Sequence, residues 1–188
     1  MSRNSKKAIL AETAGLIVTE QGAQELTLDA VAKRANVSKG GVLYHFPTKD
    51  ALVEGMLEHL MGQCDEQVDL EMAAEAATGK FPAAGRWLRA YVKVCTEPPN
   101  AETVNARAIM GVALSDIKFI AALDEMYDRW IERALRDGIS AEVADLVCIA
   151  ADGCWYYGLF SPQKSPARLA KLRATLLNLI AKDLQSKP

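Results

Sequence analysis

Residues 27–50 decide the fold of this chain, and they read TLDAVAKRANVSKGGVLYHFPTKD. Thr27 and Ser38 each precede a run of helix-forming residues, so each is placed to cap the start of a short helix. Asn36 lies between the two runs and tolerates the left-handed backbone conformation of a tight turn. Pro47 ends the second run because proline has no backbone N–H to donate within a helix. The stretch therefore predicts two short helices joined by a tight turn.

Small and apolar residues occupy the positions at which these two helices would cross, namely Val31, Ala35, Val37 and Val42. Ala32 adds a short side chain that lets the helices approach each other closely. Two helices joined in this way form a helix-turn-helix, which places its second helix in the major groove of DNA. We therefore expect residues 27–50 to bind DNA.

The start of the second helix carries two glycines, which cost about 1 kcal/mol each relative to alanine in a helix. They suit a place where the backbone approaches a base edge or a thymine methyl group. Lys39 can reach a guanine or a phosphate, and nearby hydroxyl, imidazole and amide groups can hold phosphates. Taken one at a time, each of these residues also fits a structural role, and it is their order that indicates DNA binding. The candidate DNA-binding residues are Thr27, Ser38, Lys39, Gly40, Gly41, Tyr44, His45 and Lys49.

The rest of the chain shows helical periodicity almost throughout, with apolar residues at three- and four-residue steps. Glycines and prolines separate the periodic segments, and the sequence contains no repeat or long linker. It therefore predicts an all-α fold with nine helices. Their expected ranges are about Lys6–Gln21, Leu28–Ala35, 39–45, 49–78, 87–95, Ala101–Ala113, Asp116–Arg136, Ala141–Phe160 and 166–184.

Composition and charge argue against several classes of protein. Half of the residues are hydrophobic, which provides for a packed core and excludes a disordered chain. Residues 1–50 contain seven Lys or Arg and five acidic residues, whereas the remainder contains fifteen and nineteen, so a mildly basic head precedes an acidic body. We find no signal peptide and no run of ~20 apolar residues, and we expect a soluble, cytoplasmic protein without a membrane partner. Because the sequence holds no Ser-His-Asp set, phosphate-binding glycine loop or Cys-x-x-Cys pair, we expect no catalysis, metal or cofactor.

Residues 6–57 resemble the DNA-binding head of the TetR family of bacterial regulators. The run from Leu43 to Leu52 is similar to the family's signature, Tyr-(His/Tyr)-Phe-x-(Ser/Thr)-Lys-(Glu/Asp)-x-Leu. The chain departs from the pattern at Gly40 and Gly41, where many members carry side chains that touch bases. We therefore expect few direct side-chain contacts to bases, and we expect Lys39 and DNA shape to contribute more of the sequence preference.

The resemblance implies a nine-helix, Ω-shaped homodimer in which a ligand bound to the body spreads the two heads and releases the operator. It implies a helix-turn-helix domain of residues 1–50 and a ligand-binding and dimerisation domain of residues 51–188, linked by helix four, about 49–78. Repression is the family's usual mode. We therefore expect a ligand-responsive repressor that binds a palindromic, double-stranded DNA operator and responds to a small-molecule effector.

Aromatic and thioether side chains of the body suit an apolar pocket for a small hydrophobic effector, although they fit an ordinary core equally well. Asp152 stands out as an acid within an apolar run, so it needs a hydrogen-bond partner or a cation. It either binds a cationic, lipophilic ligand or satisfies a donor at a subunit contact. The candidate ligand-binding residues are Trp87, Tyr91, Met110, Phe119, Met126, Trp130, Asp152, Trp155 and Tyr156.

The last two helices, about 141–160 and 166–184, are the expected dimer interface. Gly153 permits close helix approach, and the apolar ridge of helix nine suggests a four-helix bundle across a two-fold axis, although both features also fit packing within one chain. Two heads spaced about one helical turn apart suit a palindrome, which favours the dimer. Two other functions stay open. One is a ligand-independent DNA-binding or architectural protein with a purely structural body, and the other is a small-molecule-binding or enzymatic protein whose head has lost DNA binding.

Overall fold

The computed structural model describes residues 3–98, 100–160 and 165–186. All regular structure in these ranges is helical, and the nine predicted α-helices are present. Their bounds are α1 (Arg3–Gln21), α2 (Leu28–Arg34), α3 (Lys39–His45), α4 (Lys49–Thr78), α5 (Arg86–Cys95), α6 (Ala101–Ala113), α7 (Ile120–Arg136), α8 (Ala141–Phe160) and α9 (Ser165–Gln185). The all-α prediction is confirmed. No helix in the described part of the chain is both long and apolar enough to span a membrane.

Two short 3-10 helices, Ala23–Glu25 and Ile117–Phe119, were not predicted. The second one makes the predicted start of helix seven at Asp116 wrong. The backbone of Asp116 is extended, and its carboxylate accepts a hydrogen bond from the backbone N–H of Lys118 at 3.2 Å. The acid therefore caps a 3-10 turn, and α7 begins only at Ile120.

The chain forms two compact units, one of Met1–Gln63 with Asn100–Leu123 and the other of Cys64–Pro99 with Asp124–Pro188. We call them the head unit and the body unit. The head unit includes α6, which follows the first part of the body unit in sequence. The predicted domain boundary between residues 50 and 51 separates a DNA-binding part from a ligand-binding and dimerisation part, and it stays a prediction.

The core of the head unit joins α1, α2, α3 and the first half of α4. Side chains that are less than 2% exposed come from each of these segments, among them Ile17, Val31, Val42 and Met56. α6 packs on α1, where the Thr19 hydroxyl donates a hydrogen bond to the Asn105 side-chain oxygen at 2.7 Å. α1 packs in turn on α2, so the short helices share one core with the longer ones.

The body unit is built from α5, α7, α8, α9 and the second half of α4. A buried ion pair ties α4 to α5, because the guanidinium of Arg89 donates to both carboxylate oxygens of Glu75 at 2.6 to 3.2 Å. Arg89 also donates to the carbonyl oxygens of Pro82 and Ala84, which fixes the connection between the two helices. Burial acts to raise the pKa of Glu75, but the hydrogen bonds and charge of Arg89 hold it below its ordinary value.

Candidate functional site: a DNA-binding surface and an effector site

Side-chain caps begin both helices of the helix-turn-helix, as the sequence predicts. The hydroxyl of Thr27 accepts the backbone N–H of Ala30 at 3.0 Å, and that of Ser38 accepts the N–H of Gly41 at 3.1 Å. Asn36 has a φ of 53°, so the left-handed turn is also present. These local interactions set where α2 and α3 start, and thereby which face of α3 is exposed.

The crossing of α2 and α3 differs from the prediction at one residue. Val31 and Val42 are fully buried, and Ala35 is partly buried. Val37 is 42% exposed, so its predicted place in the crossing is wrong. Its backbone N–H bonds to the carbonyl oxygen of Ala32 at 3.0 Å and closes the turn, which leaves its side chain on the surface.

Both glycines of α3 have room for a Cβ atom. A Cβ atom on Gly40 would have the Ser38 hydroxyl as its nearest neighbour at 3.9 Å, and one on Gly41 would meet the same hydroxyl at 3.4 Å. Neither glycine has a positive φ. Packing and backbone conformation within the chain therefore do not require glycine at either position.

The polar candidates lie on α3 and at the start of α4. Tyr44 is 65% exposed, and its ring meets the ring of His45 edge-on at 5.0 Å. Lys49 is the first residue of α4 and is exposed. Lys39 forms an ion pair with Asp29 of α2 at 2.9 Å. Sequence analysis missed Asp29, because its ten-residue separation from Lys39 becomes a contact only once the two helices pack.

In the body unit, aromatic rings and one acid come together. The rings of Trp87 and Tyr91 are stacked, with centroids 5.1 Å apart, and Tyr91 is also 5.1 Å from the ring of Trp130. The hydroxyl of Tyr91 donates a hydrogen bond to the carboxylate of Asp152. Trp130 donates to Asp65 at 3.1 Å. We call the first four residues the aromatic–acid cluster.

The electrostatics of this cluster are those of a partly desolvated carboxylate. Burial raises the pKa of Asp152 to about 6, although the hydrogen bond from Tyr91 lowers it. The hydroxyl of Tyr127 also lowers the pKa of Asp152, although it does not have the geometry of an ordinary hydrogen bond with any described residue. The buried indole N–H of Trp87 likewise has no hydrogen-bond partner among the described residues. Burial also raises the pKa of the Cys64 and Cys148 thiols to about 12, so both stay protonated.

The other candidate ligand-binding residues are distributed unevenly. Met126 is buried in α7, and Trp155 and Tyr156 form an edge-on ring pair at 5.0 Å on α8. Met110 and Phe119 belong instead to the head unit, where they pack with its hydrophobic core. A ligand-binding role for these two residues remains a prediction. Sequence analysis did not select Tyr127, because the apolar pattern of a helix does not show which of its residues lies near Asp152.

Two family comparisons cover most of the chain. Residues 5–56 match the family described as bacterial regulatory proteins, tetR family. Residues 85–181 match the domain described as tetracyclin repressor-like, C-terminal domain. Among curated proteins, the HTH-type transcriptional regulator BetI of Paraburkholderia phymatum is 36% identical over 59 residues, which is 31% of this chain and 30% of that protein. The chain matches less than two fifths of the length of its curated relatives.

Solved structures are similar over nearly the whole chain. The multidrug binding protein EbrR, complexed with malachite green, has a TM-score of 0.70 at 18% identity, covering 93% of this chain and 97% of that chain. A transcriptional regulator from Saccharomonospora viridis, in complex with choline, has a TM-score of 0.63 at 18% identity, covering 95% and 97%. At such identities the likeness establishes the fold alone.

Proposed function

Because the chain belongs to the TetR family of bacterial regulators, we propose that it represses transcription as a homodimer on a palindromic operator and that a small hydrophobic cation releases it. Members of the family are DNA-binding regulators and not enzymes. The observation that carries the proposal is the capped helix-turn-helix, in which α3 buries Val42 and exposes Lys39, Gly40 and Tyr44.

In this proposal, α3 enters the major groove of DNA. Gly40 and Gly41 bring the backbone close to the base edges, and Lys39 contacts a guanine or a phosphate. Tyr44 and Lys49 contact phosphates beside the groove, together with His45 and the amides that follow the Thr27 and Ser38 caps. These contacts orient the head, whereas DNA shape supplies part of the sequence preference.

Dimerisation is proposed through α8 and α9. The two helices pack against each other, and yet both keep apolar side chains in solvent. Leu146 and Ile149 of α8 are 55% and 62% exposed, and Leu172 of α9 is 37% exposed. A second copy of the chain covering this face would give the two-fold symmetry that a palindrome requires.

The effector is proposed to be an organic cation held at the aromatic–acid cluster. Ring faces and a partly buried carboxylate both attract a cation, and quaternary ammonium groups favour such surroundings. Malachite green and choline, the ligands of the two proteins compared above, are both organic cations. Met126, Trp155 and Tyr156 are proposed as further contacts.

A binding experiment tests the regulator function. Labelled DNA from upstream of the gene is titrated with the full chain at several salt concentrations, and anisotropy is compared with that of a random duplex of equal length. We expect saturable, salt-sensitive binding of two chains per site that is at least about 1,000-fold tighter than binding to random DNA. A site selected from a random DNA pool serves if the operator lies elsewhere. If the chain selects no sequence from that pool, the proposed function is wrong.

A further inference from the structure

An exposed ion pair joins the two short helices of the helix-turn-helix. The ammonium nitrogen of Lys39 lies 2.9 Å from a carboxylate oxygen of Asp29, and the two side chains are 58% and 68% exposed. Asp29 lies in the first turn of α2, and Lys39 is the first residue of α3. The pair therefore lies at the N-terminal ends of both helices, on the surface that the proposed function assigns to DNA.

Lys39 is the first residue of α3, and the whole of this helix lies within the described residues. The next two residues are Gly40 and Gly41, so the first turn of α3 offers no second side chain to read a base. An acid that engages this lysine therefore controls the charged contact that the start of the helix can make.

We propose that Asp29 is a specificity-determining residue, which engages Lys39 and thereby reduces the advantage that a guanine at the matching position gives the operator. The inference rests on the proposed function. An exposed ion pair shifts an equilibrium by at most about fivefold, whereas a good bidentate contact to guanine changes affinity by about 5- to 150-fold. Lys39 thus leaves Asp29 for a well-placed guanine. At other sites the carboxylate competes with the phosphates for the same ammonium group.

A second pair in the head unit provides the matched comparison. Lys7 of α1 and Glu58 of α4 form an exposed lysine–carboxylate pair at 2.6 Å, and neither residue belongs to α2 or α3. Glu58→Gln changes the net charge of the head by the same amount as Asp29→Asn. Comparing the two variants therefore distinguishes the effect of a more positive net charge on DNA binding from the effect of releasing Lys39.

The experiment measures the affinity of the full-length protein for its selected operator and for a random duplex, across a salt series. We expect Asp29→Asn to raise affinity for the operator by up to about fivefold, because Lys39 of the wild type must leave Asp29 there, and to raise affinity for random DNA by less, so that the ratio of operator to random affinity rises. The salt slope on random DNA should steepen by about one unit per head. Glu58→Gln should leave the ratio unchanged, and Asp29→Asn should have no effect on it in a Lys39→Met background.

Two results would overturn the inference while leaving the proposed function intact. One is a ratio that is unchanged or falls in Asp29→Asn, and the other is the same rise in ratio when Lys39 is already methionine. A loss of thermal stability together with an unchanged ratio would assign Asp29 to the α2 helix start alone. Asp29→Ser, which keeps an acceptor in that turn, should repeat the Asn result. A wild-type chain that selects no DNA sequence would instead overturn the proposed function, and this inference with it.

Discussion

The hydroxyl of Tyr91 on α5 donates a hydrogen bond to the carboxylate of Asp152 on α8, next to the stacked indole of Trp87. The acid that sequence analysis singled out thus has a hydrogen-bond partner within its own chain. Asp152 as a whole is partly exposed, and burial raises the pKa of its carboxyl group to about 6. A group of this kind is ionised at neutral pH and has little water around it, which suits the binding of a cation.

Asp152→Asn should therefore separate cationic from neutral effectors. We expect the variant to lose at least about tenfold in affinity for malachite green or choline, because the opposite charge is removed from a partly desolvated site. Neutral counterparts, the leuco form of malachite green and dimethylbutanol, should lose little. Isothermal titration calorimetry of all four compounds tests this. An equal loss for charged and neutral compounds would assign Asp152 a structural role.

The same carboxylate predicts how effector binding depends on pH. The folded pKa of about 6 is higher than the ordinary value of 3.8, so Asp152 is largely neutral below that pH and ionised above it. Affinity for choline should rise about fivefold between pH ~5 and ~6 and level off above ~7. The Asn variant should show a flat profile. A wild-type profile that is also flat would mean that the cation does not contact Asp152.

Lys49→Ala should weaken binding to every DNA sequence. If Lys49 contacts a phosphate, its loss lowers the salt slope by about one unit per head, because fewer counterions are released on binding. Tyr44→Phe should weaken binding without changing the slope, since a neutral hydroxyl displaces no counterion. Lys171→Ala, at an exposed position on α9, is the control and should alter neither value. An unchanged slope in Lys49→Ala would remove this residue from the DNA contacts.

Gly40→Ala should make the protein more stable and its DNA binding weaker. Alanine relieves a helix cost of about 1 kcal/mol, and a Cβ atom at residue 40 has open space within the chain. The same Cβ atom would separate the backbone from a base edge. Gly62→Ala in α4, where the added Cβ meets nothing within 4 Å, is the matched control and should raise stability alone. Unimpaired operator binding by Gly40→Ala would show that the backbone makes no close approach there.

Glu75→Gln should destabilise the body unit through Arg89. Removing one partner of a buried ion pair leaves the other charge uncompensated, which costs about 3 kcal/mol or more. The side chain of Glu75 is only 2% exposed and that of Arg89 is 8% exposed. Thermal unfolding followed by circular dichroism measures the effect. Glu132→Gln, which breaks an exposed pair with Arg136, should cost less than about 1 kcal/mol.

How far the sequence predicts this protein depends on the range of the interaction. Caps, turns and helix periodicity are local, and this is why Thr27, Ser38 and Asn36 are placed correctly and most helix bounds agree within a few residues. The 3-10 turn capped by Asp116 is also local, but it continues the apolar pattern of helix seven, so periodicity alone does not separate the two.

Contacts between distant residues are what sequence reasoning missed. The pairing of Lys39 with Asp29 and the approach of Tyr127 to Asp152 depend on how helices pack, and the same is true of the buried pair between Glu75 and Arg89. Met110 and Phe119 have the composition of pocket residues, yet they pack in the head unit. Residue type suggests a candidate, and only packing decides its neighbours.

The central claim is that an organic cation controls DNA binding, and one titration tests it most directly. A preformed complex of the full chain with its labelled operator is titrated with malachite green and, separately, with the neutral leuco form. We expect the cation to release the DNA at concentrations where the leuco form does not, and we expect Asp152→Asn to require at least about tenfold more of the cation. A complex that neither compound releases, or that both release equally in wild type and variant, would contradict the account.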